Sequence, residues 1–199
     1  MVESKTRIGW IGVGAMGRPM CAHLLKAGYR LSVYDKDPSK TDALASEGAC
    51  AASSTQDLAG SCEVIVSMVW DDEALREVVF GPAGLLSGAR PGTCYIDMST
   101  VSPRLSGEIA ARLAQRGIPY LRAPVSGSVP VATAGKLSVY VSGPRDAFEA
   151  CRGMLGTFSE KLVYVGSGEE GRIVKLAINL IVQLSTAILG EVLAFGTRA

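Results

Sequence analysis

An α/β fold, doubly wound around a mostly parallel sheet and followed by a long C-terminal helix, is predicted for these 199 residues by three observations. Short apolar runs of strand length alternate with helical patterns, the signature of a parallel sheet with helices on both faces. A glycine-rich turn joins the first apolar run to the first helical pattern. After Gly168 the alternation stops, and one helical pattern of about 30 residues, ~45 Å long at ~1.5 Å per residue, follows.

The elements are read in chain order. Arg7 to Ile11 is the first strand and Ala15 to Ala27 the first helix, stopped by Gly28. Arg30 to Tyr34 is a strand, Ser39 to Glu47 a helix, and Ala49 to Ala51 a short strand. The strand Glu63 to Val69 leads to the helix Asp72 to Phe80, and Thr93 to Asp97 is the next strand. Ser102 and Pro103 then supply an N-cap and a first-turn proline to the helix Ser102 to Arg116, which Gly117 ends. Pro119 to Leu121, Leu137 to Val141 and Leu162 to Val165 complete the strands, with a helix from Arg145 to Phe158.

Gly12-Val13-Gly14-Ala15-Met16-Gly17 has the spacing G-x-G-x-x-G between a strand and a helix. Glycines there permit a tight turn and let backbone N–H groups approach a pyrophosphate at the helix N-terminus, which makes residues 1–167 a Rossmann-type dinucleotide-binding domain. Gly12, Gly14, Ala15, Met16 and Gly17 are the candidate phosphate contacts; a plain βα turn is the alternative. Asp35, 23 residues after Gly12, ends the second strand where a carboxylate can accept from both ribose hydroxyls. This favours NAD, with NADP as the alternative cofactor, since a 2′-phosphate would meet the carboxylate while Lys36 softens the repulsion. A turn-forming aspartate in Asp35-Lys36-Asp37-Pro38 competes with that role. Met68 and Val69, at the end of the fourth strand, and Thr100, after the fifth, complete the candidate cofactor contacts.

In the last helix, Arg172, Lys175, Asn179, Gln183 and Thr186 are separated by steps of 3, 4, 4 and 3, a narrow polar stripe on an otherwise apolar surface. A lysine facing protein rather than water has a lowered pKa and can exchange protons near neutrality. A solvated stripe on a half-exposed helix is the competing reading. Asp97-Met98-Ser99-Thr100, between a strand and a helix, either caps that helix or faces the cleft. Ala123-Pro124-Val125-Ser126-Gly127-Ser128 is a strand end running into a loop whose N–H groups and hydroxyls suit a carboxylate, or else a plain turn.

A net charge of +1, with 48% hydrophobic and 20% charged residues, describes a globular protein without the basic excess of a nucleic-acid or anionic-membrane binder. The start, Met1 to Arg7, has no apolar core and so does not read as a signal peptide, which makes the cytoplasm the expected compartment. The apolar run Leu176 to Leu189 is short for a membrane span, is interrupted by Asn179, Gln183, Ser185 and Thr186, and reads as a buried helix. Cys21, Cys50, Cys62, Cys94 and Cys151 lie too far apart for a metal cluster and read as reduced core residues; His23 reads as structural or surface. The helix carries apolar residues on more than one face, so residues 168–199 are expected to begin a truncated or missing helical domain and to pair the chain into a homodimer or higher assembly.

Taken together, GVGAMG, DMST, APVSGS, GKLSVYVSG and G-x-x-x-K-x-x-x-N resemble, in order and over essentially the whole chain, the β-hydroxyacid dehydrogenase family. That family includes 3-hydroxyisobutyrate dehydrogenases, tartronate semialdehyde reductases and glyoxylate/succinic semialdehyde reductases. The resemblance implies hydride transfer between a nicotinamide cofactor and a small carboxylate substrate. Lys175 would be the acid/base, Asn179 would orient the substrate, Ser126, Gly127 and Ser128 would hold its carboxylate, and Thr100 would lie near the nicotinamide. Arg122 and Ser128 depart from the family's D-A-P-V-S-G-G, and Ile178 stands where asparagine is common. An imine reductase-like enzyme is a rival that generally lacks the lysine; 6-phosphogluconate dehydrogenase is disfavoured because no extra basic cluster surrounds Lys175. A non-catalytic dinucleotide-binding or assembly module is the rival from another class.

Overall fold

The structure, a computed structural model, describes residues 6–198; the reading of Met1 to Arg7 falls mostly outside them. Among the described residues nine strands form one sheet: β1 (Arg7–Ile11), β2 (Arg30–Tyr34), β3 (Cys50–Ala51), β4 (Val64–Ser67), β5 (Cys94–Asp97), β6 (Tyr120–Arg122), β7 (Val125–Ser126), β8 (Leu137–Ser142) and β9 (Ser159–Gly166). The order is β3-β2-β1-β4-β5-β6-β8-β7, with β9 on β8. β3 through β6 along this path are parallel. β8 is antiparallel to β6 and β7 and parallel to β9. Strand direction therefore carries the ends of β1, β2, β4, β5 and β6 to one edge, where ligands of open α/β sheets bind.

The alternation of strands and helices exists because each strand buries both faces. In β4, Val64 and Val66 join one hydrophobic cluster with Ile8 and Trp10, while Ile65 points into the other with Tyr95 and Leu105. α1 (Gly17–Lys26), α2 (Ser39–Ser46) and α8 (Arg145–Leu155) contribute to the first face; α3 (Thr55–Ser61), α4 (Asp72–Phe80), α5 (Leu85–Gly88) and α6 (Pro103–Ala114) to the second. Each fully buried leucine, isoleucine or phenylalanine contributes roughly 1.5–3 kcal/mol relative to exposure. Helix starts are capped where the chain offers a side chain: Ser54 accepts from Asp57 N–H, Asp71 from Ala74 N–H and Ser102 from Leu105 N–H.

Several short elements, α3, α5, α7 (Val129–Thr133) and β7, have no counterpart in the sequence reading. Each is shorter than the stretch of roughly 11 to 18 residues over which hydrophobic periodicity becomes legible. α8 ends at Leu155 rather than Phe158, because Thr157 N–H closes on Met154 O in a tighter turn and Phe158, fully buried, turns edge-on to Trp10. Of the cysteines, Cys21, Cys62, Cys94 and Cys151 are buried, but Cys50 is exposed on the two-residue strand β3.

The last helix, α9 (Glu170–Arg198), corrects the expectation of burial. Only Gly171 and Arg172 are buried; Ile181 is 65% and Phe195 76% exposed. Its first turn packs on β8 and β9 while the remainder leaves the domain, so apolar composition here does not report burial within this chain. At 29 residues, with an 18-residue stretch of mean hydropathy 1.8, α9 is also longer than the run that read as too short for a membrane, and is long and apolar enough by length and composition to cross one.

Gly171 sets how closely α9 approaches the sheet. A Cβ there would lie 2.9 Å from Ser142 Oγ, 3.1 Å from Tyr140 O and 3.2 Å from Arg122 O, two of them backbone atoms that cannot swing aside. Gly171→Ala is expected to destabilise the chain by about 1–3 kcal/mol in urea unfolding. Gly153→Ala, in α8 with nothing within 4 Å, should be neutral or stabilising; equal effects of the two would dismiss the close approach.

Candidate active site

The loops that leave β1, β2, β4 and β5 meet at one edge of the sheet. Gly12 has φ +91°, and a Cβ on it would meet Met68 O at 2.2 Å, so the β1 and β4 loops touch only because residue 12 is glycine. A Cβ on Gly17 would lie 2.1 Å from Gly12 O, an oxygen that also accepts from Trp10 Nε1 at 3.1 Å. Around Gly14 the space is open, with nothing within 4 Å of a Cβ. The N–H groups of Gly14, Ala15 and Met16 have no acceptor among the described residues. Unpaired donors at the start of a ten-residue helix, in an open glycine turn, form an anion cradle that fits a dinucleotide pyrophosphate.

Asp35 combines two roles the sequence reading set against each other. Its Oδ2 accepts from Val13 N–H at 2.9 Å and so braces the glycine loop. Its Oδ1 accepts from Asp37 N–H at 3.0 Å in a turn, and Lys40 Nζ lies 3.7 Å away. Next to it is a cavity of about 700 Å³ lined by Gly14, Ala15, Arg18, Ser39, Lys40 and Thr133. Arg18 and Lys40 were not among the sequence candidates, although Arg18 directly follows Gly17 and Lys40 lies in the first turn of the helix beyond the Asp35 loop.

On the far wall, Ser126 is half-buried at the end of β7, and Ser128 is exposed. Gly127 has φ +145°, and a Cβ would press on Leu137 and Val131 at 2.7 and 3.0 Å. His23 Nε2 lies 3.2 Å from Ala132 O and 3.0 Å from Thr133 O, which ties α7, the helix after this loop, to α1. The single histidine is structural and couples the two walls.

At β5 the sequence Asp97-Met98-Ser99-Thr100 divides. Ser99 is buried: its Oγ donates to Asp97 Oδ1 at 2.6 Å and accepts from Val69 N–H at 2.9 Å. Thr100 is exposed at the edge, and the helix cap falls to Ser102. Ser67 Oγ also donates to Asp97 Oδ1, at 2.6 Å.

The polar stripe of α9 is not uniform. Arg172, 1% exposed, points into the sheet edge: its guanidinium donates to Asp97 Oδ2, to Ser99 O and, at 3.1 Å, to Tyr120 OH. Burial opposes its charge, but Asp97 and Tyr120 hold the proton in place and raise its pKa above the usual arginine value. Lys175 and Asn179 are half-buried, whereas Gln183 and Thr186 are exposed and Thr186 turns back to Val182 O at 2.9 Å. Lys175 forms no hydrogen bond or ion pair among the described residues, and burial lowers its pKa. Arg122 is likewise inward, stacked 4.5 Å over Tyr120 and paired with Glu169. Its departure from the family pattern is compensated by Glu169 and does not put a cation among the candidate substrate contacts.

The family model described as the NAD binding domain of 6-phosphogluconate dehydrogenase matches residues 7–166. The 2-(hydroxymethyl)glutarate dehydrogenase of Eubacterium barkeri is 34% identical over 197 residues, 99% of this chain and 65% of that protein. The human mitochondrial 3-hydroxyisobutyrate dehydrogenase is also 34% identical over 197 residues, 99% of this chain and 59% of that one. The crystal structure of 3-hydroxyisobutyrate dehydrogenase (ygbJ) from Salmonella typhimurium superposes with a TM-score of 0.89 at 30% identity, covering 98% of this chain and 68% of the other. The chain thus spans roughly three fifths to two thirds of the length of these relatives.

Because a Cβ at Gly17 would sit 2.1 Å from Gly12 O, Gly17→Ala must open the cradle. NAD affinity measured by calorimetry is expected to fall at least ~10-fold, equivalent to ~1.4 kcal/mol. Unchanged affinity in the folded variant would remove the glycine turn from the binding site.

Proposed function

The chain belongs to the β-hydroxyacid dehydrogenase family, and from that premise we propose that it takes part in hydride transfer between NAD or NADP and a small β-hydroxy acid or its semialdehyde. The observation that carries the reading is Lys175: a desolvated, unpaired amine on the helix whose first turn is bonded to the loop after β5. Bound nicotinamide supplies the hydride donor or acceptor. In reduction Lys175 gives a proton to the carbonyl oxygen and, while charged, stabilises the developing oxyanion; in oxidation it takes the hydroxyl proton. Asn179, one turn further along the same face, orients the substrate. Ser126, Gly127 and Ser128 receive the carboxylate, and Thr100 lines the nicotinamide end. Retention of Lys175 weighs against an imine reductase-like chemistry. The exposed length of α9 is covered, on this reading, by helical structure from the same protein or a second copy.

Asp35 supports a preference for NAD, with the cations Lys40 and Arg18 acting in the other direction. Asp35→Ala is expected to weaken NAD binding, since the glycine loop loses its brace, and to narrow the gap to NADP. Calorimetry with both cofactors tests this, and equal affinities in the parent would dismiss the preference.

Lys175→Ala, in a full-length form of the protein carrying a helical domain, should lower turnover of small hydroxy acids by ~10² to 10⁴ while dinucleotide binding persists. The pH profiles carry the sign. Reduction needs protonated Lys175 and declines as pH rises through its pKa; oxidation needs the neutral amine and increases through the same point. Burial places that inflection below the ordinary lysine value. A full-length protein that binds NAD yet turns over none of a panel of hydroxy acids and semialdehydes would instead be a non-catalytic dinucleotide module.

A further inference from the structure

We propose that Arg172 is a positioning residue which, through Asp97 and Ser99, couples the dinucleotide loop to the helical turn that carries Lys175. The inference deepens the reading above and rests on it. The path is continuous in the structure. Met68 N–H donates to Ile11 O at 2.8 Å, and Met68 O packs directly against Gly12, so the β4 loop and the glycine turn move together. Val69 N–H donates to Ser99 Oγ at 2.9 Å, and Ser99 Oγ donates to Asp97 Oδ1 at 2.6 Å. The other carboxylate oxygen receives Arg172 Nη2, while Nη1 returns to Ser99 O. Lys175 lies three residues on, on the same side of α9.

Two features separate this arrangement from plain structural support. A buried ion pair is a poor device for stability, because desolvating both charges offsets most of their attraction; an apolar pair of similar volume often serves as well. What the guanidinium adds is direction. Its planar fork meets a carboxylate, a carbonyl and a phenol at the ends of β5 and β6, fixing both the translation and the rotation of the first turn of α9. The other charges around that turn already have partners: Arg122 pairs with Glu169, and Glu170 accepts from the backbone N–H of Gly168 at 2.6 Å. Burial is therefore what governs Lys175, and burial depends on where the turn is held.

The test reads Lys175 directly. Competitive labelling of the 199-residue chain with acetic anhydride, followed by mass spectrometry across pH, gives the titration of the Lys175 amine without turnover. Arg172→Lys keeps the charge and loses the fork, so Lys175 should gain water and its inflection should rise towards that of ordinary lysine. Ser99→Ala cuts the link to Val69 and keeps the ion pair; it should leave the inflection of the free chain near the parent value but abolish the change that saturating NAD produces in it. In a form of the protein that also carries a helical domain, Arg172→Lys should lower kcat with 3-hydroxyisobutyrate 10- to 100-fold, with KM for NAD within about twofold, if the proposed activity holds. A folded Arg172→Lys chain whose Lys175 inflection matches the parent, or a parent inflection that NAD does not move, would overturn the coupling and leave Arg172 as a structural anchor. Absence of turnover in the parent, with the labelling shifts present, would reject the activity and retain the coupling.

Discussion

A guanidinium with 1% exposure stays charged inside a protein only if an anion reaches it, and Arg172 meets that condition at the end of β5. Asp97 is fully buried, so neither member has water to fall back on. Around the pair, Ser67, Ser99, Ser106 and Tyr120 supply the remaining hydrogen-bonding groups. This cluster is where the strand ends, the β4 and β5 loops and α9 become one body. Its place in the sheet follows from topology: the parallel order brings β4, β5 and β6 to a common edge, and β9 delivers α9 there.

Magnitude decides which ion pairs matter. Arg76 and Glu108 make a two-pronged contact at 2.9 and 2.7 Å, but both side chains are about half exposed, so water and salt screen them. Such pairs contribute little to stability. Removing one member of a buried pair leaves the other charge stranded and costs about 3–5 kcal/mol. The large number measures the damage of breaking the pair, while the net contribution of the intact pair is small. Arg172 and Asp97 are consequently hard to lose singly even though they add little stability, a pattern suited to fixing a geometry.

The fold was legible where a residue's role is local. Gly12 and Gly17 sit at the strand-to-helix turn because no side chain fits between Gly12 and Met68 or between Gly17 and Gly12; Ser102 and Pro103 start α6 for reasons contained within four residues. It was not legible where the partner is far along the chain. Arg172 reads as one more polar residue on a helix, since its partner lies 75 residues earlier. Arg122 reads as a departure from a motif until Glu169, 47 residues later, is brought beside it. The apolar stretch of α9 reads as core because hydrophobicity records that a surface needs covering, without recording by what. Lys175 and Asn179 fall between these cases: their shared face was readable from spacing, their half-burial was not.

That half-burial links the chemistry of the site to the covering of α9. Desolvation alone lowers the Lys175 pKa, and desolvation grows with every apolar atom that replaces water around the amine. Leu176 and Val182, which helical spacing places beside the Lys175–Asn179 face, are exposed. Any protein surface that packs on them removes further water from Lys175 and moves its titration closer to neutrality, where proton exchange is most effective. The first turn, pinned by Gly171 and Arg172, sets where the amine stands; what lies against the next two turns sets how readily it gives up its proton. Position and acidity are thus controlled from successive turns of one helix.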